Sequence, residues 1–357
     1  MKALHILTVF TILQCTSSLN QVQAEEWNHP QTQKLPHQHL GPFIRLTDGN
    51  ILAPDIKQAL ISQDEGKTWK ATPLYPQPEK FHTSNERALI QTRKGTIILA
   101  YMNLAERKFN WNDKQGGPQS DCYLPVYVSR STDNGKTWLP PQILQDHSWC
   151  GAVRSMIQTR SGRIIVVVSK AIANPGRHVS LTYYSDDEGE TWKHSNMIDL
   201  GGSGDHDGAM EGTIVELKDG RIYQLIRTKF GRFWEAFSTD GGASWRTIRP
   251  SEIPASSSPA ILQRLDSGRI VMLWNRFRDP QTRKGRREEL SLAFSDDECQ
   301  SWSNPVVIAS DLTPPGQRRE NRVSYPYVFE AQPGKLWITT MQGPVRLTLK
   351  EADFLSP

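Results

Sequence analysis

Ser131-Thr132-Asp133-Asn134-Gly135-Lys136-Thr137-Trp138 is a stretch that carries its own folding instructions. The Asp carboxylate can take hydrogen bonds from backbone N–H groups just ahead of it, the Gly can adopt a positive φ, and the Trp has a large apolar face to bury. The pattern Ser-x-Asp-x-Gly-x-Thr/Ser-Trp recurs in full at Ser62–Trp69, Ser185–Trp192 and Ser238–Trp245, and a fifth copy, Ser295–Trp302, has Cys299 in place of the glycine. Each copy follows a strand-like run, such as Tyr123–Ser129 or Leu290–Phe294. One copy is a turn; five copies in a single chain are an architecture.

A second repeat lies upstream of the first. Gly49, Gly95, Gly162, Gly220, Gly268 and Gly334 each precede an apolar strand and follow another, for example Ala88-Leu89-Ile90 or Thr213-Ile214-Val215. Six units of strand, glycine turn, strand, loop, strand, octapeptide turn and outer strand predict an all-β chain folded as one six-bladed β-propeller of four-stranded antiparallel blades over residues 25–357. The sixth unit, Tyr325 to Leu349, runs out after three strands. Residues Trp27 to Leu35 are therefore expected to supply its outer strand and close the ring.

Composition narrows the function classes. The chain has 357 residues and a formal charge of only +4, without a Lys/Arg block interleaved with aromatics, so a nucleic-acid partner is not expected. Met1 to Ala24 reads as a secretory signal, with Lys2, an apolar run from Leu4 to Leu13 and the small-residue ending Val22-Gln23-Ala24. The run is too short to span a bilayer, and a secreted or periplasmic protein is expected. Gln14 before Cys15 argues against a lipoprotein signal. Of the remaining cysteines, Cys122, Cys150 and Cys299, one pair, Cys122 with Cys150, can form a disulfide but is not required to.

Antiparallel blades return the chain to the same face at every second connection, which sorts the polar residues. If the first strand of each blade starts on the upper face, the glycine turns and the octapeptides are lower-face scaffold. The upper face then collects Arg87, Arg154 and Glu211 at the starts of units two, three and four. It also receives Arg227 at the end of a second strand, Arg287 at the start of a third, Tyr325 at the start of unit six, and Asp121 in the long loop of unit two.

The chain resembles the sialidase superfamily, whose members share this octapeptide (the Asp box), the six-bladed propeller and an arginine triad. The segment from Glu211-Gly-Thr-Ile-Val-Glu to Leu-Ile-Arg227 is similar to the one that carries the family's catalytic glutamate and second triad arginine. The segment beginning at Arg87 resembles that of the first triad arginine, with Glu86-Arg87-Ala88-Leu89 where the family has Phe-Arg-Ile-Pro. Arg287, with Arg283 and Arg286 as competitors, resembles the third. Tyr325 in Val-Ser-Tyr-Pro-Tyr-Val-Phe matches the nucleophilic tyrosine, with Tyr327 second, and Asp121 lies where the acid/base aspartate would, with Asp113 as rival. Arg154 stands as a further substrate contact, an inter-blade ion pair or the true triad member.

The resemblance implies an exo-α-sialidase acting with retention on terminal sialic acid of a glycan, without cofactor or metal. Guanidinium groups suit the sugar's carboxylate, and a neutral phenol escapes the repulsion that an anionic nucleophile would meet. Asp205-His206-Asp207 looks like a metal cluster but lacks a third partner at ligand spacing and reads as pocket wall. Two other readings remain: a glycosidase of the same fold for another acidic sugar, and a non-catalytic propeller that binds a glycan or protein.

Overall fold

The computed structural model describes residues 26–276, 287–312 and 323–355. They form six four-stranded antiparallel blades with almost no helix. Blade one is short: Ile44–Arg45, Ile51–Pro54, Gln58–Ser62 and Lys70–Pro73. Blade two runs from Thr83–Gln91 through Ile97–Asn103 and Val126–Ser131 to Gln142–Gln145, and blade three from Cys150–Gln158 through Ile164–Ile172 and Arg177–Ser185 to Lys193–His194. Blade four holds Met210–Glu216, Ile222–Arg227, Arg232–Ser238 and Thr247–Pro254, and blade five Ile261–Arg264, Ile270–Trp274, Glu289–Ser295 and Val306–Asp311.

Ring closure uses the N-terminal segment twice. Gln33–Lys34 pairs with Arg346–Lys350 and completes blade six, whose inner strands are Ser324–Gln332 and Lys335–Gln342. The expected segment thus closes the ring. Glu26–Asn28, just before it, instead adds a fifth strand to blade five against Val306–Asp311. Two blades are stapled by one short stretch. Among the described residues no helix is long and apolar enough to cross a membrane.

The octapeptides do the local work their composition suggests. In the blade-two copy, Asp133 Oδ1 accepts from Ser131 Oγ at 2.9 Å and from the Thr137 N–H at 2.9 Å, Asp133 Oδ2 accepts from Thr137 Oγ1 at 2.6 Å, and the Gly135 N–H donates to Ser131 Oγ at 3.0 Å. The same bonds recur in the other four copies. In the first copy, bonds from the Thr68 backbone and hydroxyl hold the Asp64 carboxyl down at about 2. The turn also locks neighbours together. A Cβ on Gly135, where φ is +76°, would lie 2.5 Å from Leu52 Cδ1 of blade one. Gly135→Ala is expected to cost about 1–2 kcal/mol in left-handed strain alone and to lower Tm by about 2–4 °C, as thermal unfolding would read. Cys299 holds the same conformation in blade five with φ +66°, but its side chain packs against the cluster of Val215, Tyr223 and Trp274.

Apolar residues fill the wedges between blades. Leu52, Leu89, Leu99 and Trp138 pack blade one on blade two, and Val126, Met156 and Val166 pack blade two on blade three. Leu292, Phe294, Ile338 and Leu347 join blades five and six. A cavity of about 660 Å³ lies among the first strands of all six blades, with Arg45, Arg160 and Arg264 toward its lower rim and Arg154 and Tyr327 at its upper end.

Candidate active site

Strand register delivers the central pair. Met210 faces Arg227 across the first two strands of blade four, so Glu211 and the last residue of the second strand emerge side by side. The ladder is irregular between Met210 and Thr213, and Glu211 has a φ of +30°, an uncommon conformation that turns its side chain away from the regular pleat. Its N–H donates to Ser169 Oγ of blade three at 2.8 Å. Tyr325 starts blade six with a φ of +61°. Two strained residues therefore meet at one point.

Tyr325 Oη donates to Glu211 Oε1 at 2.9 Å. Arg227 Nη1 donates to Glu211 Oε2 at 2.5 Å and to Tyr325 Oη at 3.0 Å, closing a triangle of phenol, carboxylate and guanidinium. All three side chains are buried. The other edge of Arg227, Nε and Nη2, rests on Ser257 Oγ at 3.2 Å from each nitrogen. Arg287 donates from Nη2 to the Ser257 carbonyl at 2.7 Å and from Nη1 to Gln342 Oε1 at 3.0 Å, and its guanidinium carbon stands 5.1 Å from the Tyr325 ring centre. Arg154 sits 5.0 Å from that ring and 4.9 Å from the Tyr327 ring, so two cations lie within cation–π range of the phenol.

Electrostatics sets the protonation states. Burial would raise the Glu211 carboxyl, but Arg227, by charge and hydrogen bond, and then Arg154 and the Tyr325 hydroxyl outweigh it and hold the group below the usual carboxylate range. Burial and then the Glu211 charge push the Tyr325 phenol well above its ordinary value, against the pull of Arg227 and Arg287. The resting state is a neutral phenol hydrogen-bonded to a carboxylate. Such a pair can pass a proton from oxygen to oxygen, beside guanidiniums suited to an anion.

Of the other expected residues, Arg154 borders the cluster, while Arg87 and Asp121 lie elsewhere. Arg87 is buried with its Nη2 on the Gly41 carbonyl at 3.2 Å, and its Nε and Nη1 are enclosed without a hydrogen-bond partner among the described residues. Its backbone N–H donates to Tyr327 Oη at 3.1 Å, and that hydroxyl donates to the Asn85 carbonyl at 2.7 Å. Tyr327 is thus a strut between blades six and two. Arg154 donates to the Pro326 carbonyl at 2.8 Å, and its Nε and Nη1 are enclosed without a hydrogen-bond partner among the described residues. Asp121 is exposed on the blade-two loop, accepts from Asn110 Nδ2 at 2.6 Å, and has no hydrogen bond to Tyr325, Glu211 or the arginines among the described residues. Asp113 accepts from Trp111 Nε1 at 2.8 Å. Arg283 and Arg286 lie outside the described residues.

That loop is fitted tightly to its neighbour. The Asn174 N–H donates to the Gly116 carbonyl at 2.8 Å, and a Cβ on Gly117 would fall 2.2 Å from Gly176 Cα, so only glycine fits the contact. The Trp111 ring lies nearly parallel to His178 with centroids 6.1 Å apart, and His178 Nε2 meets the Asp205 carbonyl at 2.7 Å. Asp207 accepts from the Ser203 and Gly208 N–H groups, so the Asp205-His206-Asp207 stretch shapes a glycine-rich wall. Cys122 and Cys150 are buried free thiols, and no disulfide joins them.

Ser257, Gln342 and Glu86 had not stood out in the sequence. Glu86 carries the clearest missed signal, because it precedes Gly95 by the nine residues that separate Glu211 from Gly220 and Tyr325 from Gly334.

The profile of the BNR repeat-like domain matches residues 113–338. The chain belongs to the BNR-repeat propeller family. This BNR-repeat protein is 28% identical over 204 residues to a sialidase of Micromonospora viridifaciens, a match covering 52% of the chain and 30% of that relative. It is 26% identical over 208 residues to a sialidase of Clostridium perfringens, covering 53% of the chain and 52% of the relative. The BNR-repeat chain thus spans at most about half the length of these relatives. Among solved structures, it superposes with a TM-score of 0.60 on the NanB sialidase of Streptococcus pneumoniae, at 14% identity over 92% of this chain and 70% of that one. A protein of unknown function from Dyadobacter fermentans gives 0.60 at 18% identity over 90% and 98%. These likenesses place the fold in the sialidase and BNR-repeat superfamily.

Proposed function

We propose that this protein is an exo-acting sialidase that hydrolyses terminal sialic acid from glycans with retention of configuration. The observation that carries the reading is the hydrogen-bonded triangle of Tyr325, Glu211 and Arg227. A binding protein needs no phenol paired with a carboxylate base. A substrate carboxylate would take the Nε and Nη2 edge of Arg227 in place of Ser257 Oγ, with Arg287 and Arg154 completing the clamp.

Tyr325 then attacks the anomeric carbon and gives its proton to Glu211 as the new bond forms. A free phenolate never has to exist, which matters because burial and the Glu211 charge make it costly. The leaving oxygen needs a proton from an acid, for which the sequence offers Asp121 on the blade-two loop. Water next releases the sugar from the tyrosine on the same face, so the configuration is retained.

The test is release of a fluorophore from an α-linked sialoside by the purified protein. Release supports the reading. Inertness toward sialosides, with cleavage of another anionic sugar, assigns the same site to that sugar.

A further inference from the structure

Glu86, Glu211 and Tyr325 occupy the same place in three alternate blades, two, four and six, each nine residues before the blade's glycine turn. In a six-bladed ring, alternate blades stand about a third of a turn apart, so the three positions are spaced evenly around the axis, and Tyr325 and Glu211 meet there in a direct hydrogen bond. The ladders reinforce the equivalence: each of the blade-two and blade-four first strands is irregular at this level, between Thr83 and Arg87 and between Met210 and Thr213. Two of the three form the nucleophile and base proposed above. The third is a carboxyl without an assigned task.

Its surroundings match the position. Glu86 Oε1 is enclosed and has no hydrogen-bond partner among the described residues, while the residue as a whole keeps partial exposure. Glu211, Arg154, Arg227 and Arg287 all act on its charge, and Glu86 in turn acts on the Tyr325 and Tyr327 phenols and the Cys150 thiol. Asp121, by contrast, is engaged with Asn110 on an exposed loop.

Resting on the sialidase reading, we propose that Glu86, not Asp121, is the general acid and base of the reaction. As Tyr325 Oη bonds to the anomeric carbon and its proton moves to Glu211, the bond from that carbon to the leaving oxygen breaks and the Glu86 proton goes to that oxygen. The aglycone leaves as a neutral alcohol. Glu86, now a carboxylate, takes a proton from the water that attacks the same carbon. The carbon–Oη bond breaks, and Tyr325 recovers its proton from Glu211. Atoms and charges balance over the cycle.

The protonation states suit these roles. Burial and then the Glu211 charge push Glu86 up to about 8 against the pull of Arg154, Arg227 and Arg287, while Glu211 is held low. Two carboxyls driven apart in this way separate an acid from a base.

The experiment compares Glu86→Gln with wild type on an α-nitrophenyl sialoside, whose leaving group needs no proton, and on the α-methyl sialoside, whose leaving group does. The expected kcat/KM on the methyl glycoside falls by about 10²–10⁴-fold, the nitrophenyl value falls far less, and the wild-type decline in rate above pH about 8 disappears in the variant. An equal loss on both substrates, or the leaving-group split appearing in Asp121→Asn instead, overturns the proposal and leaves the sialidase reading intact. A wild-type protein inert on both sialosides overturns both. Thermal unfolding of the variant within a few degrees of wild type at neutral pH certifies the fold, and Glu86→Asp, which keeps the acid, is expected to recover part of the methyl-glycoside activity.

Discussion

Tyr325→Phe is expected to retain the fold and lose at least about 10³-fold in kcat on every sialoside. The substitution removes one oxygen. The ring stays between the Arg154 and Arg287 guanidiniums, 5.0 and 5.1 Å from their central carbons, and the Glu211–Arg227 ion pair is untouched. The stability cost is that of two hydrogen bonds lost from partners that keep each other, about 1 kcal/mol. The kinetic cost is of another kind, since the oxygen that attacks the anomeric carbon is gone. Substrate affinity should change little, because the carboxylate clamp is intact. An active-site titration in which wild type accumulates a sugar-labelled tyrosine and the variant does not would fix the role. Residual activity within about tenfold of wild type would mean that water attacks directly, and Tyr325 would then be a binding residue.

What could be read in the sequence was whatever the chain fixes locally. Ser131, Asp133, Gly135 and Trp138 specify their own turn within eight residues, so five copies specify five blade corners wherever the rest of the chain lies. Parity did more, because Glu211 and Arg227 end facing strands whose register follows from the Gly220 turn. Contacts between blades were harder to read. Nothing near Arg87 in the sequence announces that its guanidinium reaches the Gly41 carbonyl, or that Tyr327 spans to Asn85. Glu26–Asn28 joins blade five while Gln33–Lys34, a few residues on, joins blade six; both are short, half-polar strands whose partner is chosen by the geometry of closure. Glu86 was hidden for a different reason. A carboxylate in a strand is ordinary, and only its shared offset with Glu211 and Tyr325 singles it out.

Arg227→Ala is expected to be the most destabilising single change in the site, and its pH dependence distinguishes lost charge pairing from lost packing. Arg227 and Glu211 are 3% and 9% exposed, so truncating the arginine strands a carboxylate in a place water barely reaches. Breaking a buried pair from one side costs about 3–5 kcal/mol. Glu211 has its carboxyl pKa depressed by Arg227, so the pair's contribution is fully present above the unfolded carboxylate range and lost as pH falls through the depressed folded value. In the variant, burial acts without that counterweight, the Glu211 pKa rises, and the protein can protonate the group to escape the penalty. The difference in unfolding free energy between wild type and Arg227→Ala should therefore be largest near neutral pH and shrink as the solution is made more acidic than the ordinary Glu range. Adding Glu211→Gln to Arg227→Ala should recover a large part of the loss at neutral pH, because the stranded charge is gone, and flatten the pH profile. A deficit equal at neutral and acidic pH, and equal with and without the glutamine, would show that Arg227 stabilises the site by filling space against Ser257 and Tyr325. Its guanidinium would then owe its position to packing, and Glu211 could not depend on it to remain ionised beside the phenol.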